Sequence, residues 1–240
     1  MEADLVQAVG FVVDEIAAVF ASLEALGREF ADGCASATAE ERQLACANLG
    51  PYKSDILAIL DRFPETTAGA GLIVVPGILA DAQRWIDWWW REPGQPPKQL
   101  KVNVNPTSPD SLDYAAEEWF ARPAESGMRT AVGPYVDYLC TNDYTVTLSV
   151  PIDSNGIVAI AAADILVASI EAMVLPAFCQ ADFPVLLINE LGRVIVSNLP
   201  DYPPGCRIAR PSADGSGLAD AQLVEIVKAA ELGWTLLGAI

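Results

Sequence analysis

Residues 113–164, DYAAEEWFARPAESGMRTAVGPYVDYLCTNDYTVTLSVPIDSNGIVAIAAAD, contain the pattern that decides the fold. From Tyr144 to Pro151 the residues alternate as in a strand, Asp153-Ser154-Asn155-Gly156 supplies a turn, and Ile157 to Asp164 returns as a second, more apolar strand. This is the strongest hairpin signal in the chain. Ahead of it lie an aromatic pair, Trp119-Phe120, and the turn-prone Gly133-Pro134-Tyr135-Val136-Asp137. Rings and carboxylates recur here at positions that converge across a curved sheet, a combination suited to a small cationic ligand.

Working outward, Leu5, Val9, Val12, Ile16, Val19, Leu23 and Leu26 step by three and four, which predicts one apolar stripe on a long N-terminal helix. The stripe docks on its own domain or pairs with a second copy in a homodimer. Gly33 is expected to break this helix, and a second is expected from near Ala39 past Cys46, ending at Pro51. Residues 53–62 have helical spacing, Gly69 and Gly71 read as a turn, and Leu72-Ile73-Val74-Val75 as a buried strand. Asp110 to Phe120 reads as a helix start capped by Asp110, and Ile165 to Leu175 as a connecting helix that stops at Pro176. Val185 to Ile188, a Gly192 turn and Arg193 to Ser197 echo the hairpin, before a last helix (Ala219 to Glu231) and strand (Trp234 to Leu237). The organisation is α+β: a long helix over residues 1–30, a larger module over 31–165 and a smaller one over 166–240.

Composition narrows the chemistry. The 240 residues are 52% hydrophobic and carry 32 acidic against 14 basic side chains, a formal charge of −18 that repels phosphate backbones, so direct nucleic-acid binding is not expected. Histidine is absent, which removes Ser-His and Cys-His nucleophile pairs and imidazole metal ligands. Cys34, Cys46, Cys140, Cys179 and Cys206 are scattered without C-x-x-C spacing, so neither a zinc site nor a disulfide framework is signalled. No nucleophile elbow, phosphate loop or cofactor motif is present, so an enzyme is not the leading expectation; paired carboxylates acting as acid and base are the alternative. The acidic N-terminus lacks signal-peptide features and no uninterrupted run of about 18 apolar residues occurs, so the expectation is a chain without a membrane span, cytoplasmic if full length and extracytoplasmic if part of a receptor.

In Asp113-Tyr114, Trp119-Phe120, Gly133 to Asp137, Thr145 to Pro151, Gly156 and Ala161 to Ile165 the chain resembles the Cache family of small-molecule sensor domains in its double-module, PAS-like form. The resemblance implies that the larger module binds the ligand and that a helix couples occupancy to an output domain. In the subset that binds amino acids, which this chain resembles at Trp119, Tyr135, Asp137 and Asp164, aspartates take the ligand ammonium and aromatic rings surround it. That subset has an arginine two places before the tryptophan to hold the carboxylate. Here Glu117 stands there, so a small cationic amine is the leading ligand. An amino acid held by Arg91, Arg122 or Arg129 is the alternative, and a dimerisation scaffold without ligand is a further one.

Each candidate also has a plain structural role to weigh. Asp137 also suits a turn cap, and Asp164 a cap on the helix expected at Ile165. Trp119, Phe120 and Tyr135 also suit core packing, Glu117 a solvated helix face, and Tyr114 is a further pocket candidate. Trp88, Trp89 and Trp90 cannot all face one side of a helix, and Trp89 is taken as a lid over the ligand.

Overall fold

The computed structural model describes residues 1–39, 44–92, 94–208 and 223–239. Helix α1 spans Glu2–Ala39, and all seven stripe residues are buried, followed by Phe30, Cys34 and Ala37. Gly33 does not break it. A Cβ there would collide with the Tyr52 hydroxyl, and the Tyr52 ring packs 5.1 Å from that of Phe30, so the glycine admits a neighbour rather than ending the helix. An 18-residue window of Glu2–Ala37 reaches a mean hydropathy of 1.7, so α1 is long and apolar enough to cross a membrane on those grounds, which an uninterrupted-run test does not register; 39% of the window is buried.

The helix expected from Ala39 falls partly on residues 40–43, outside the described residues. Its described part is two single 3₁₀ turns, Cys46–Asn48 and Gly50–Tyr52, because the Asn48 carboxamide accepts from the Ala45 amide (2.9 Å) and the Cys46 amide donates to Asp81 (2.9 Å). Helix α2 follows at Lys53–Arg62.

Strand β1 is Thr67–Val74, β2 Trp85–Trp90 and β3 Lys98–Gln99. Gly69 and Gly71, expected in a turn, lie inside β1, where they receive a tryptophan ring. Helix α3 is Glu118–Ser126, after a 3₁₀ turn at Tyr114–Ala116, so the helix starts well beyond Asp110. Strands β4 (Thr130–Val136), β5 (Tyr144–Asp153) and β6 (Ile157–Leu166) follow, and the Asp153 carboxylate accepts from the Gly156 amide (3.0 Å) in the predicted β5–β6 turn. Helix α4 is Val167–Phe178, with Pro176 inside its last turn.

Strands β7 (Val185–Ile188), β8 (Val194–Ser197), β9 (Leu223–Ala229) and β10 (Trp234–Ala239) complete the chain. Residues 219–222 of the expected last helix lie outside the described residues. Its continuation is strand β9 instead, because Leu223-Val224-Glu225-Ile226-Val227 pairs antiparallel with β10, overriding helical spacing.

The strands form one sheet in the order β3-β2-β1-β6-β5-β4 and a second in the order β8-β7-β10-β9. The chain divides into two compact units. One comprises Ala18–Val132 and Thr147–Ile165, the large-sheet unit; the other comprises Met1–Ala17, Gly133–Val146 and Leu166–Ile240, the small-sheet unit. In the large-sheet unit Leu23, Leu26, Ile56, Ile59, Leu60, Leu72, Leu148 and Ile152 are buried, and Gly27 of α1 lets Ile152 approach to 3.3 Å of where a Cβ would stand. In the small-sheet unit Trp234, Val185, Leu187, Val196, Ile170 and Phe178 form the core. Asn198 ties that core's edge, donating to the Phe178 and Phe183 carbonyls (both 3.0 Å) and accepting from the Val185 amide (2.8 Å).

Candidate functional site

Antiparallel pairing assigns each side chain of the large sheet to a face, because directly opposed residues point the same way and successive residues alternate. Gly69 opposes both Asp164 and Trp90, and Gly71 opposes both Ala162 and Trp88. Leu72 opposes Asp87 and Ala161, and Ala70 opposes Trp89 and Ala163. Asp164, Ala162, Gly69, Gly71 and Trp88 therefore share one face, while Asp87 and Trp89 share the other. Thr147 joins the first face, since its hydroxyl donates to the Asp164 carboxylate at 2.6 Å, and Ser149 follows it by alternation. Leu148 and Ile152 then point to the opposite face, where Ile152 meets α1 and Trp89 meets α2.

The Trp88 indole fills the notch left by the two glycines. A Cβ on Gly69 would lie 2.8 Å from Trp88 Nε1, and one on Gly71 would lie 2.8 Å from Trp88 Cε3. The ring therefore reaches along β1 to the residue opposite Asp164. Asp164 is 8% exposed, Trp88 6%, Thr147 1% and Ser149 0%. A buried carboxylate on the same sheet face as an indole suits an ammonium group, which can gain charge pairing from one and ring attraction from the other. The Ser149 hydroxyl is buried without a hydrogen-bond partner.

Asp164 does not cap a helix. It is part of β6, the strand continues to Leu166, and α4 begins only at Val167. Asp137, by contrast, does cap a turn. Its carboxylate accepts from the amides of Leu139 (3.0 Å), Cys140 (3.3 Å) and Thr141 (3.2 Å) and from the Thr141 hydroxyl (3.4 Å). Tyr135 and Asp137 belong to the small-sheet unit, and Asp164, Trp88, Trp89, Tyr114, Glu117, Trp119 and Phe120 to the large-sheet unit. Tyr135 is half-buried on β4, just past Gly133, whose φ of 138° and close approach to the Thr145 carbonyl admit no side chain. The Gly133 carbonyl accepts from Asn189 Nδ2 at 2.6 Å.

Trp89, expected as a lid, stands on the face opposite Asp164. Its Nε1 donates to Asp87 (2.9 Å), which also accepts from Gln99 (2.9 Å), and the Lys53 ammonium sits 4.1 Å over its ring. Tyr114 is fully buried and works as a latch: its hydroxyl donates to the Val74 carbonyl (2.7 Å) and accepts from the Trp85 amide (3.1 Å). Burial pushes its phenol pKa up, against the pull of the Trp85 hydrogen bond. Phe120 packs edge-on against Tyr114 (5.2 Å) and Trp119 (6.2 Å), leaving Trp119 as the half-buried end of the ring series. Glu117 is exposed at the start of α3 and makes no side-chain cap bond.

Of the three arginines weighed for a carboxylate contact, Arg91 is bonded to Asp61 (3.1 Å) and the Leu60 carbonyl of α2, and Arg129 to Glu24 of α1 (3.0 Å). Arg122 lies on α3, 3.8 Å from Glu118. Thr147, Ser149 and Trp88 are the residues that sequence reasoning did not single out. The available signal was two glycines spaced by one residue in a strand, which leaves room for one ring from the neighbouring strand.

No family profile matches the chain, and no curated protein does. Solved structures do. Methyl-accepting chemotaxis protein X superposes with a TM-score of 0.63 at 14% identity, covering 98% of this chain and 96% of that one. The ligand-binding domain of the Campylobacter jejuni chemoreceptor Tlp3 in complex with 4-methylisoleucine gives 0.62 at 11% identity, covering 100% and 88%. The extracellular domain of a protein described as histidine kinase soHK1S-Z6 gives 0.63 at 12% identity, covering 99% and 89%. At these identities the likeness establishes the fold.

Proposed function

We propose that this chain, whose fold is that of the Cache-type sensor domains, is a sensory ligand-binding domain for a small ammonium compound, an amino acid before a plain amine. The observation that carries the reading is the buried Asp164 carboxylate on the same sheet face as Trp88, the face turned away from α1 and α2. The preference for an amino acid draws on the Tlp3 domain, whose structures hold isoleucine, valine or norvaline. Asp164 takes the ammonium, Trp88 lies against it, and Thr147 orients the carboxylate through its 2.6 Å bond. Arg122, on α3, is the arginine assigned to the ligand carboxylate in this reading. Asp137 shapes the β4–β5 turn. Ligand binding belongs to the larger module over 31–165, and of the two compartments open to the sequence the extracytoplasmic one suits the likeness to an extracellular histidine kinase domain.

A plain amine is the second reading, favoured by the exposed acid Glu117 at the start of α3. Calorimetry with amino acids and the amines formed by removing their carboxylates separates the two. Tighter binding of the amino acids, lost in Arg122→Gln, is the expected result. Equal or tighter binding of the amines overturns the amino-acid reading in favour of the amine.

A further inference from the structure

We infer that Ser149 is a specificity determinant of the Asp164 site, selecting ammonium ligands that carry a second hydrogen-bonding group, a hydroxyl or an amide, over purely aliphatic ones. This inference rests on the ammonium-binding reading and adds to it the class of side chain. Ser149 is 0% exposed, and its hydroxyl has no hydrogen-bond partner. A buried hydroxyl left unpaired costs stability that a residue without one avoids, so a polar atom at such a position calls for a partner.

Its place on the sheet says where that partner comes from. Thr147 is fixed against Asp164 by their hydrogen bond, and Ser149 is the next residue of β5 on the same face, roughly 7 Å further along the strand. Antiparallel stepping brings it towards Ala162, whose neighbour across β6 and β1 is Gly71, the glycine that seats Trp88. The floor between Ser149 and the indole is thus made of the smallest side chains in the sheet. A ligand whose ammonium rests on Asp164 extends its side chain over Ala162 and Gly71 and presents its polar group to Ser149. An apolar side chain placed there would leave the hydroxyl still unpaired.

Isosteric pairs test this directly. Calorimetry on the whole protein with threonine against valine, and glutamine against methionine, is expected to show the polar member of at least one pair binding about tenfold tighter. Ser149→Ala is expected to abolish that advantage while leaving the apolar member's affinity unchanged, and Ser149→Thr to restore it. The alanine variant is also expected to match or exceed the parent in ligand-free thermal stability, since it deletes an unpaired polar atom; a lower stability means that the hydroxyl is structural and overturns the inference. Ligands that depend on Asp164, shown by loss with Asp164→Asn, but ignore Ser149→Ala sink the inference alone. If no ammonium ligand binds the parent protein, the ammonium-binding reading fails and the inference falls with it.

Discussion

Asparagine at position 164 separates a ligand carboxylate from a structural one. The Asp164 carboxylate is 8% exposed and accepts the Thr147 hydroxyl at 2.6 Å. Asparagine keeps an oxygen that accepts the same hydroxyl and gives up the charge. Burying a carboxylate costs several kcal/mol of hydration, only partly returned by a charge-assisted bond, so without ligand the variant should lie within about 1 kcal/mol of the parent or above it. For a chain of this length that is a loss of no more than about 2–4 °C in Tm. Ligand binding moves the other way. Removing one partner of a buried charge pair costs about 2–5 kcal/mol, roughly a 30- to 5,000-fold loss of affinity. At a ligand concentration 100 times its Kd the parent gains about 2.7 kcal/mol, a rise of about 5–11 °C that the variant should lack at the same concentration. Scanning calorimetry with and without ligand measures both quantities in one protein. A ligand-free Tm lowered by about 8 °C or more, together with ligand affinity within threefold of the parent, would refute the reasoning and make Asp164 a structural residue.

Asp137→Asn should act on the turn instead. It places an amide where Oδ2 now accepts from Thr141, costing about 1–3 kcal/mol and speeding amide exchange of residues 139–141, and unchanged exchange there contradicts the capping role. Tyr114→Phe leaves the Val74 carbonyl and the Trp85 amide without this partner and should lower stability by about 1–3 kcal/mol. The Tyr114 phenol pKa is raised above its ordinary 10.0 in the folded protein, so the unfolded chain releases that proton first. Its contribution is intact below that value and lost as pH climbs above it, and Tyr114→Phe should show a shallower alkaline decline in denaturation midpoints; an unchanged slope contradicts this.

Hairpins were legible because their pattern is local. Tyr144 to Asp164 alternates with period two around a turn whose Asp153 and Gly156 chemistry is written in four residues, and the α1 stripe repeats at three and four over several turns. The misreadings share another cause. Gly33, Gly69 and Gly71 look like breaks from their own neighbourhoods, yet each is small because a distant ring, Tyr52 or Trp88, must pass close by. Leu223 to Ala229 has helical spacing and is a strand because β10 offers it a partner.

By itself the sequence determined the α+β class, the long helix and the two hairpins, since composition and short-period patterns act within a few residues. Only the tertiary structure decided which tryptophan shares a sheet face with Asp164. Trp88 and Trp89 are adjacent and chemically identical, and a single step of the pleat sends one towards Asp164 and the other towards Lys53. The surroundings of Asp137 and Asp164 also became distinct only in the folded chain. Both are aspartates beside a turn or helix in the sequence, but one spends its oxygens on the amides of its own turn, and the other is held in a central strand with a hydroxyl across the sheet. The tryptophan choice is set by register, and the pairing of β1 with β6 that brings Trp88 and Asp164 to one face joins stretches too distant for any local sequence to contain it.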